Sequence, residues 1–218
     1  MFKRTDHEWQ LAWSFFGIFA MLAILVKVNA TIIQQFDNWS FETIATLNNN
    51  GLTKVFKLVT TLGSPAVTLV VALIFGGLLY LNHQHTLGIL AVTTMFGGDA
   101  LALVVKFLVQ RARPTQQLLA DSGYSFPSGH VFGTTLLVTI LLAIGLPMLK
   151  SQPLKVGLTL LGIAWVLLVL ISRIYLRDHF ASDTVGSVVL ASGCWQQGRA
   201  WFWSWRPRAH AILNRNTD

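Results

Sequence analysis

Residues 154–183 read LKVGLTLLGIAWVLLVLISRIYLRDHFASD. From Leu154 to Ile171 the stretch is an apolar run of the length a bilayer demands, since a helix needs about 20 mostly apolar residues to cross one. It then breaks into Ser172, Arg173, Arg177, Asp178, His179 and Asp183. One stretch thus holds a lipid-soluble helix and, at its end, a cluster of groups that lipid would reject.

Five further stretches repeat the apolar pattern: Leu11–Val28, Pro65–Leu81, Thr86–Val105, Val131–Leu149 and Phe180–Trp203. The expected fold class is therefore all-α, an integral membrane bundle of six transmembrane helices. The last stretch is diluted by Ser182, Asp183, Ser187, Ser192, Gln196 and Gln197, and its polar face should look into the bundle, because polar groups at membrane depth avoid lipid. The first has a rival reading as a signal peptide, with Lys3 and Arg4 ahead of it and Val28-Asn29-Ala30 as a loose cleavage site. Its run exceeds the usual 7 to 15 residues of such peptides, which favours a retained span.

Residues 29–64 are less hydrophobic. Trp39, Phe41, Ile44 and Leu47, then Leu52, Val55, Phe56, Val59 and Leu62, recur at near-helical spacing around Asn48-Asn49-Asn50-Gly51. Two short interfacial helices on the membrane surface fit this pattern, and the segment is assigned no chemistry. No linker or repeat divides the chain, so residues 1–218 are read as one membrane-embedded domain with a motif-bearing core at 106–183.

The composition agrees with lipid as the main solvent. Of 218 residues, 53% are apolar and 11% charged, against roughly 25% charged in soluble domains. The net charge of +7 does not point to nucleic acid, because the basic residues are scattered between apolar runs. Cys194 is the only cysteine, which excludes an intramolecular disulfide and a cysteine-based metal cage.

With six spans, Lys3, Arg4, Lys150, Lys155, Arg199, Arg206, Arg208 and Arg215 share one face, which the positive-inside bias makes cytoplasmic. The opposite face carries as many cations in total, but Lys106, Arg113 and Arg173 there belong to motifs that need them. Trp9, Trp13, Trp201, Trp203 and Trp205 fit an aromatic belt at the cytoplasmic side. The expectation is a multi-pass cell-membrane protein with cytoplasmic termini and an outward-facing site.

Three polar clusters sit at span ends. Lys106 is followed after six residues by Arg113-Pro114; Pro127-Ser128-Gly129-His130 opens the fourth span; Ser172-Arg173 is followed after five residues by His179 and after three more by Asp183. Six spans put all three on one membrane face. In order and spacing they resemble the three signature motifs of the type 2 phosphatidic acid phosphatase superfamily, whose members include membrane lipid phosphatases of the phosphatidylglycerophosphatase B kind and vanadium haloperoxidases. The resemblance implies a helical bundle with its site near the membrane surface and a covalent phosphohistidine intermediate.

The residue chemistry supports the same assignment. Phosphoryl transfer is promoted by positioning and by spreading charge onto fixed donors. Lys106, Arg113 and Arg173 supply cations, and Ser128 and the Gly129 N–H add neutral donors at a helix amino end. His179 and Asp183, four apart, would share one face of a helix. A carboxylate there fixes the imidazole tautomer, which makes His179 the candidate nucleophile. His130 is the candidate acid and later base, giving a bell-shaped pH dependence. No metal or cofactor is called for.

Singly, these residues have ordinary readings: Lys106 as a snorkelling cation, Arg173 as a charged helix end, Ser128 as a cap, His179 and Asp183 as a structural pair. Arg111, Arg177 and Asp178 lie outside the motif positions and read as surface charge or caps. Asp99, in the third span, needs a bundle partner. His83 and His85 read as a solvated turn, and Tyr124 and Phe126 as interface anchors or an entrance lining. The expected partner is a phosphorylated lipid in the bilayer: phosphatidylglycerophosphate, phosphatidic acid or undecaprenyl diphosphate. The alternatives are vanadate-dependent peroxidase chemistry and a non-catalytic lipid-binding transporter or scaffold.

Overall fold

The computed structural model describes residues 7–47 and 49–215, with side chains as far as Ser204. Lys3, Arg4 and Asn48 therefore lie outside the described residues, as do the side chains of Trp205, Arg206, Arg208 and Arg215. The described chain folds into eight α-helices: α1 (Glu8–Lys27), α2 (Thr31–Ala45), α3 (Asn50–Leu62), α4 (Pro65–Leu81), α5 (His85–Val109), α6 (Gly129–Gly145), α7 (Gln152–Tyr175) and α8 (Ala181–Arg215), with a 3-10 turn at Leu146–Met148.

Local chemistry sets the boundaries. Ser64 accepts the Val67 N–H ahead of Pro65, and Ser151 accepts the Leu154 N–H ahead of Pro153; an N-cap hydroxyl followed by proline in the first turn is a strong helix start. Asn49 Oδ1 caps α3 through the Leu52 N–H at 2.8 Å. The long helix α5 stops at Gln110, which adopts a left-handed φ of 57° and returns its N–H to the Lys106 carbonyl. That stop frees residues 110–128 to form the loop that carries Arg111 and Arg113.

Among the described residues, four helices are long and apolar enough to cross a membrane: α1, α5, α6 with its 3-10 turn, and α7. The pair α3–α4 passes together but is bent by 44° at its break. Six spans were expected from the sequence; the structure gives these four, or five with the bent pair. The shortfall at α8 has a physical reason. Its polar side chains Ser182, Asp183, Thr184 and Ser187 are buried, so they lower the average apolarity of the helix while facing inward, as expected. Large apolar side chains such as Trp13, Ile24, Phe107 and Leu161 are exposed on α1, α5 and α7, and surfaces of that kind require lipid or protein cover.

The central helix is α6, which packs on α4, α5, α7 and α8 and buries Val131, Phe132, Leu136 and Ile140. Helix α1 lies along α8, and the Glu8–Arg199 ion pair at 2.9 Å joins them. Helices α4 and α5 approach closely through Gly76 and Gly88, where a Cβ on Gly88 would meet the Gly76 carbonyl at 2.5 Å. Small residues at membrane helix contacts permit such approach.

Two expectations change. Phe126 is neither an anchor nor an entrance residue: it is buried and stacks on Phe19 at a centroid distance of 5.6 Å. Asp99 Oδ2 is buried without a hydrogen-bond partner among the described residues.

Candidate active site

The carboxyl ends of α5 and α7 and the amino ends of α6 and α8 meet at one end of the bundle, and all three polar clusters meet there with them. The first motif cation, Lys106, reaches across from the last turn of α5 and donates to the Tyr124 carbonyl at 2.8 Å. Arg113 is held by the loop beside it, with Nη2 donating to the Ser122 carbonyl at 2.9 Å and Nη1 to the Asp178 carbonyl at 2.9 Å. The same Nη1 lies 3.3 Å from His179 Nε2.

Arg173 closes the cradle from α7. It is 1% exposed, and its Nη1 donates to Thr60 of α3 at 2.5 Å while Nη2 meets Asp121 at 2.7 Å. Asp121 also lies 3.1 Å from Arg113. One carboxylate thus bridges the two arginines that the sequence reads as phosphate ligands. Burial pushes the Asp121 carboxyl up, but Arg113 and Arg173 pull it down further, so it stays an anion below the usual carboxylate range.

Ser128 is the residue before α6, and its hydroxyl makes no capping bond. Ser128 Oγ is instead buried with no hydrogen-bond partner among the described residues, a donor left available at the amino end of a helix. Gly129 and His130 follow in the first turn, both half-buried. His130 is near enough to His179, Arg173 and Arg113 to interact with them electrostatically.

His179 and Asp183 do not form a pair along one helix, as their spacing suggested. His179 precedes α8, in the turn where its N–H and that of Asp178 return to the Arg173 carbonyl. Asp183 sits in the first turn of α8 and accepts the Phe180 N–H through Oδ2 at 2.9 Å, the backward half of a capping box. The same Oδ2 is 3.5 Å from His179 Nδ1. Both residues are buried, His179 at 1% and Asp183 at 0% exposure. The ring therefore turns Nδ1 toward a carboxylate and Nε2 toward the basic cradle. Burial first, then Arg173, Arg113 and Lys106, push the His179 imidazole well below its ordinary value, which keeps it neutral.

Two of the residues read as surface charge are in the site. Arg111 Nη1 donates to Asp183 Oδ1 at 2.6 Å and to Ser182 Oγ at 2.8 Å, and Nη2 donates to Asp37 Oδ2 at 2.6 Å. Its guanidinium lies 4.0 Å over the Phe180 ring. Asp178 is fully buried and 3.1 Å from Arg173 Nη1; burial pushes its carboxyl up to about 6, against the pull of Arg173. Arg177 stays at the surface on Gln116. The segment 29–64, assigned no chemistry, supplies Asp37 from α2 and Thr60 from α3. Asp37 is one of two acids in α2, with Glu42, and nothing local in the sequence marked it for burial. Among the described residues, no three His, Cys, Asp or Glu side chains gather as a metal-holding group.

Residues 65–209 match the PAP2 superfamily. Phosphatidylglycerophosphatase B of Bacillus subtilis (strain 168) is 31% identical over 182 residues, covering 81% of this chain and 87% of that protein. Phosphatidylglycerophosphatase B of Haemophilus influenzae is 43% identical over 74 residues, or 33% of this chain and 30% of its own length. The crystal structure of a transmembrane PAP2-type phosphatidylglycerolphosphate phosphatase from Bacillus subtilis superposes with a TM-score of 0.75 at 24% identity, covering 89% of this chain and 96% of that one. LpxE of Aquifex aeolicus superposes with a TM-score of 0.55 at 23% identity, over 73% and 92% of the two chains; both structural likenesses speak to the fold. This chain is a multi-pass membrane protein and a phosphoric ester hydrolase, and it belongs to the PAP2 superfamily.

Proposed function

We propose that the chain hydrolyses a lipid phosphomonoester or diphosphate, with phosphatidylglycerophosphate as the first substrate to test, then phosphatidic acid and undecaprenyl diphosphate. The names of its relatives support the first choice. The observation that carries the reading is the placement of His179, with Nε2 3.3 Å from Arg113 and Nδ1 3.5 Å from Asp183.

In this reading the phosphoryl group enters the cradle of Lys106, Arg113, Ser128, Gly129 and Arg173, displacing the Asp121 carboxylate. Neutral His179 attacks phosphorus through Nε2 as the ester P–O bond breaks, and Asp183 stabilises the charge that appears on the ring. His130 gives its proton to the leaving lipid oxygen. It then takes a proton from water, which attacks phosphorus, breaks the P–N bond, and releases phosphate and free His179. The cations offset charge on the phosphoryl oxygens throughout, and the protein's own donors suffice without a metal ion.

Helices α1, α4, α5, α6, α7 and α8 form six crossings in this reading, with α2 and α3 at the interface beside the site. The positive-inside bias of Lys150 and Lys155, at the opposite end of α6 and α7, supports an outward-facing site. The test is phosphate release by purified protein in detergent with EDTA, across a panel of lipid phosphates. Turnover of at least one lipid phosphate, abolished in His179→Ala, is expected. Full activity in His179→Ala would sink the mechanism, and activity that disappears with EDTA and returns with a divalent ion would sink its metal independence.

A further inference from the structure

Asp37 is 1% exposed on α2, a helix outside the three motifs and outside the matched region 65–209. A carboxylate this deeply buried has to be compensated by hydrogen bonds or counter-charge. Asp37 has both. Its Oδ1 accepts the Ser182 N–H at 2.9 Å, and its Oδ2 accepts the Ser182 hydroxyl at 2.9 Å and Arg111 Nη2 at 2.6 Å. The first two bonds hold the amino end of α8, one residue before Asp183. The third holds a guanidinium whose other arm grips Asp183 Oδ1 at 2.6 Å.

The geometry divides the oxygens of Asp183. Arg111 takes Oδ1, and Oδ2 is left facing His179 Nδ1 at 3.5 Å and the Phe180 N–H at 2.9 Å. A planar guanidinium bridging two carboxylates is geometrically rigid. Stacking on Phe180, which itself packs on Phe41 of α2 at 5.5 Å, fixes its plane. On the other side, the Arg111 carbonyl accepts the Ser125 N–H at 2.8 Å, and Ser125 Oγ donates to the Ala112 carbonyl at 3.1 Å. The relay is thus anchored to the loop leading into Ser128.

We propose that Asp37 and Arg111 are positioning residues for the proposed nucleophile: Asp37 holds Arg111, Arg111 holds Asp183, and Asp183 sets the tautomer and direction of His179. The inference rests on the hydrolase reading above, in which His179 attacks phosphorus. Neither Asp37 nor Arg111 lies in the phosphate cradle, so they act on turnover and leave phosphate affinity alone. Outer partners that orient metal-ligating histidines cost about 10- to 100-fold in activity when lost, and a loss of the same order is expected for partners that orient His179.

The two residues carry opposite charge, which gives a readout that a purely architectural role would not reproduce. The charged and titratable groups around His179 are Asp183, Asp178, Asp121, Lys106, Arg113, Arg173 and His130, with Arg111 and Asp37 behind Asp183. Asp37→Asn leaves Arg111 without its second anion, so His179 feels more positive charge and its titration moves down. Arg111→Gln leaves Asp183 and Asp37 without their cation, so the titration moves up.

The experiment compares wild type, Asp37→Asn, Asp37→Glu, Arg111→Gln and His179→Ala as full-length protein in detergent. It measures kcat, KM, the pH profile of kcat/KM, and competitive inhibition by orthophosphate. Expected are kcat losses of about 10- to 100-fold in Asp37→Asn and Arg111→Gln, orthophosphate inhibition within about twofold of wild type, partial recovery in Asp37→Glu, and acid limbs displaced in opposite directions. The inference is overturned by wild-type kcat in Asp37→Asn, by acid limbs that move together, or by loss of orthophosphate inhibition in all the Asp37 and Arg111 variants. A wild type that releases no phosphate, or a fully active His179→Ala, overturns the hydrolase reading first and this inference with it. An active wild type with an inactive His179→Ala and an unimpaired Asp37→Asn overturns this inference alone.

Discussion

His179 Nδ1 faces Asp183 Oδ2 at 3.5 Å, both side chains buried, while the ring's other nitrogen looks into the arginine cradle. The distance is longer than a hydrogen bond, and contacts of this kind tighten when the ring gains charge during reaction. His179→Ala should reduce kcat by about 10³-fold or more, because it removes the proposed nucleophile. Asp183→Asn should reduce it by about 10²- to 10⁴-fold with little change in KM, because the amide favours the wrong tautomer. Single-turnover phosphate release measures both. Equal activity in wild type and Asp183→Asn would remove the carboxylate from the mechanism.

The pH dependence follows from the sign of the His179 shift. Burial and the cations Arg173, Arg113 and Lys106 lower its pKa, so Nε2 keeps its lone pair below the ordinary imidazole value of about 6.5. The acid limb of kcat/KM set by His179 should therefore lie below about pH 6.5. For stability, the unfolded chain binds the His179 proton first, so this residue's contribution is present above about pH 6.5 and falls away below it. Asp178 runs the other way: its carboxyl rises to about 6 in the fold from 3.8, so its contribution is present at low pH and lost as pH rises through 6. Rate profiles between pH 4 and 9 decide the matter, and an acid limb above pH 7 would contradict the shift.

Asp121 sits where a phosphate oxygen is expected, 2.7 Å from Arg173 and 3.1 Å from Arg113. An incoming anion has to take those donors from it. Asp121→Asn removes the competing charge, so orthophosphate should inhibit about 10-fold more tightly, with a larger gain at low ionic strength. Titration at two salt concentrations measures it; weaker inhibition in the variant would mean that Asp121 assists binding.

The α4–α5 contact offers a stability test remote from the chemistry. A Cβ on Gly88 would stand 2.5 Å from the Gly76 carbonyl and 3.2 Å from the Tyr80 nitrogen, backbone atoms with no rotamer to yield, whereas a Cβ on Gly77 meets open space. Gly88→Ala should cost about 1–3 kcal/mol, read as a lower unfolding temperature in detergent. Gly77→Ala should leave that temperature unchanged.

The apolar runs made most of the bundle legible in the sequence. Pro65–Leu81 was placed to the residue, because Ser64 and Pro65 start the helix and the run's end is abrupt. The motif residues were legible because lipid makes each polar group at a span end conspicuous. Arg111 and Asp37 were not, since they lie 74 residues apart and pair only after folding. Asp178 read as surface charge for the same reason: nothing local says that Arg173 will be buried beside it. The His179–Asp183 spacing gave the right partners with the wrong geometry, since α8 starts only after His179.

Thr60 and Asp37 lie ahead of residue 65, where the family match begins, yet they bond Arg173 and Arg111. A fragment cut to residues 65–209 would keep every signature residue and lose a hydroxyl and a carboxylate that hold two of its guanidinium groups. Grafting the three motifs onto another bundle would leave Arg173 without its Thr60 bond and Arg111 without its Asp37 bond. In this chain, the unit that keeps both bonds intact includes α2 and α3, the pair of helices ahead of the match.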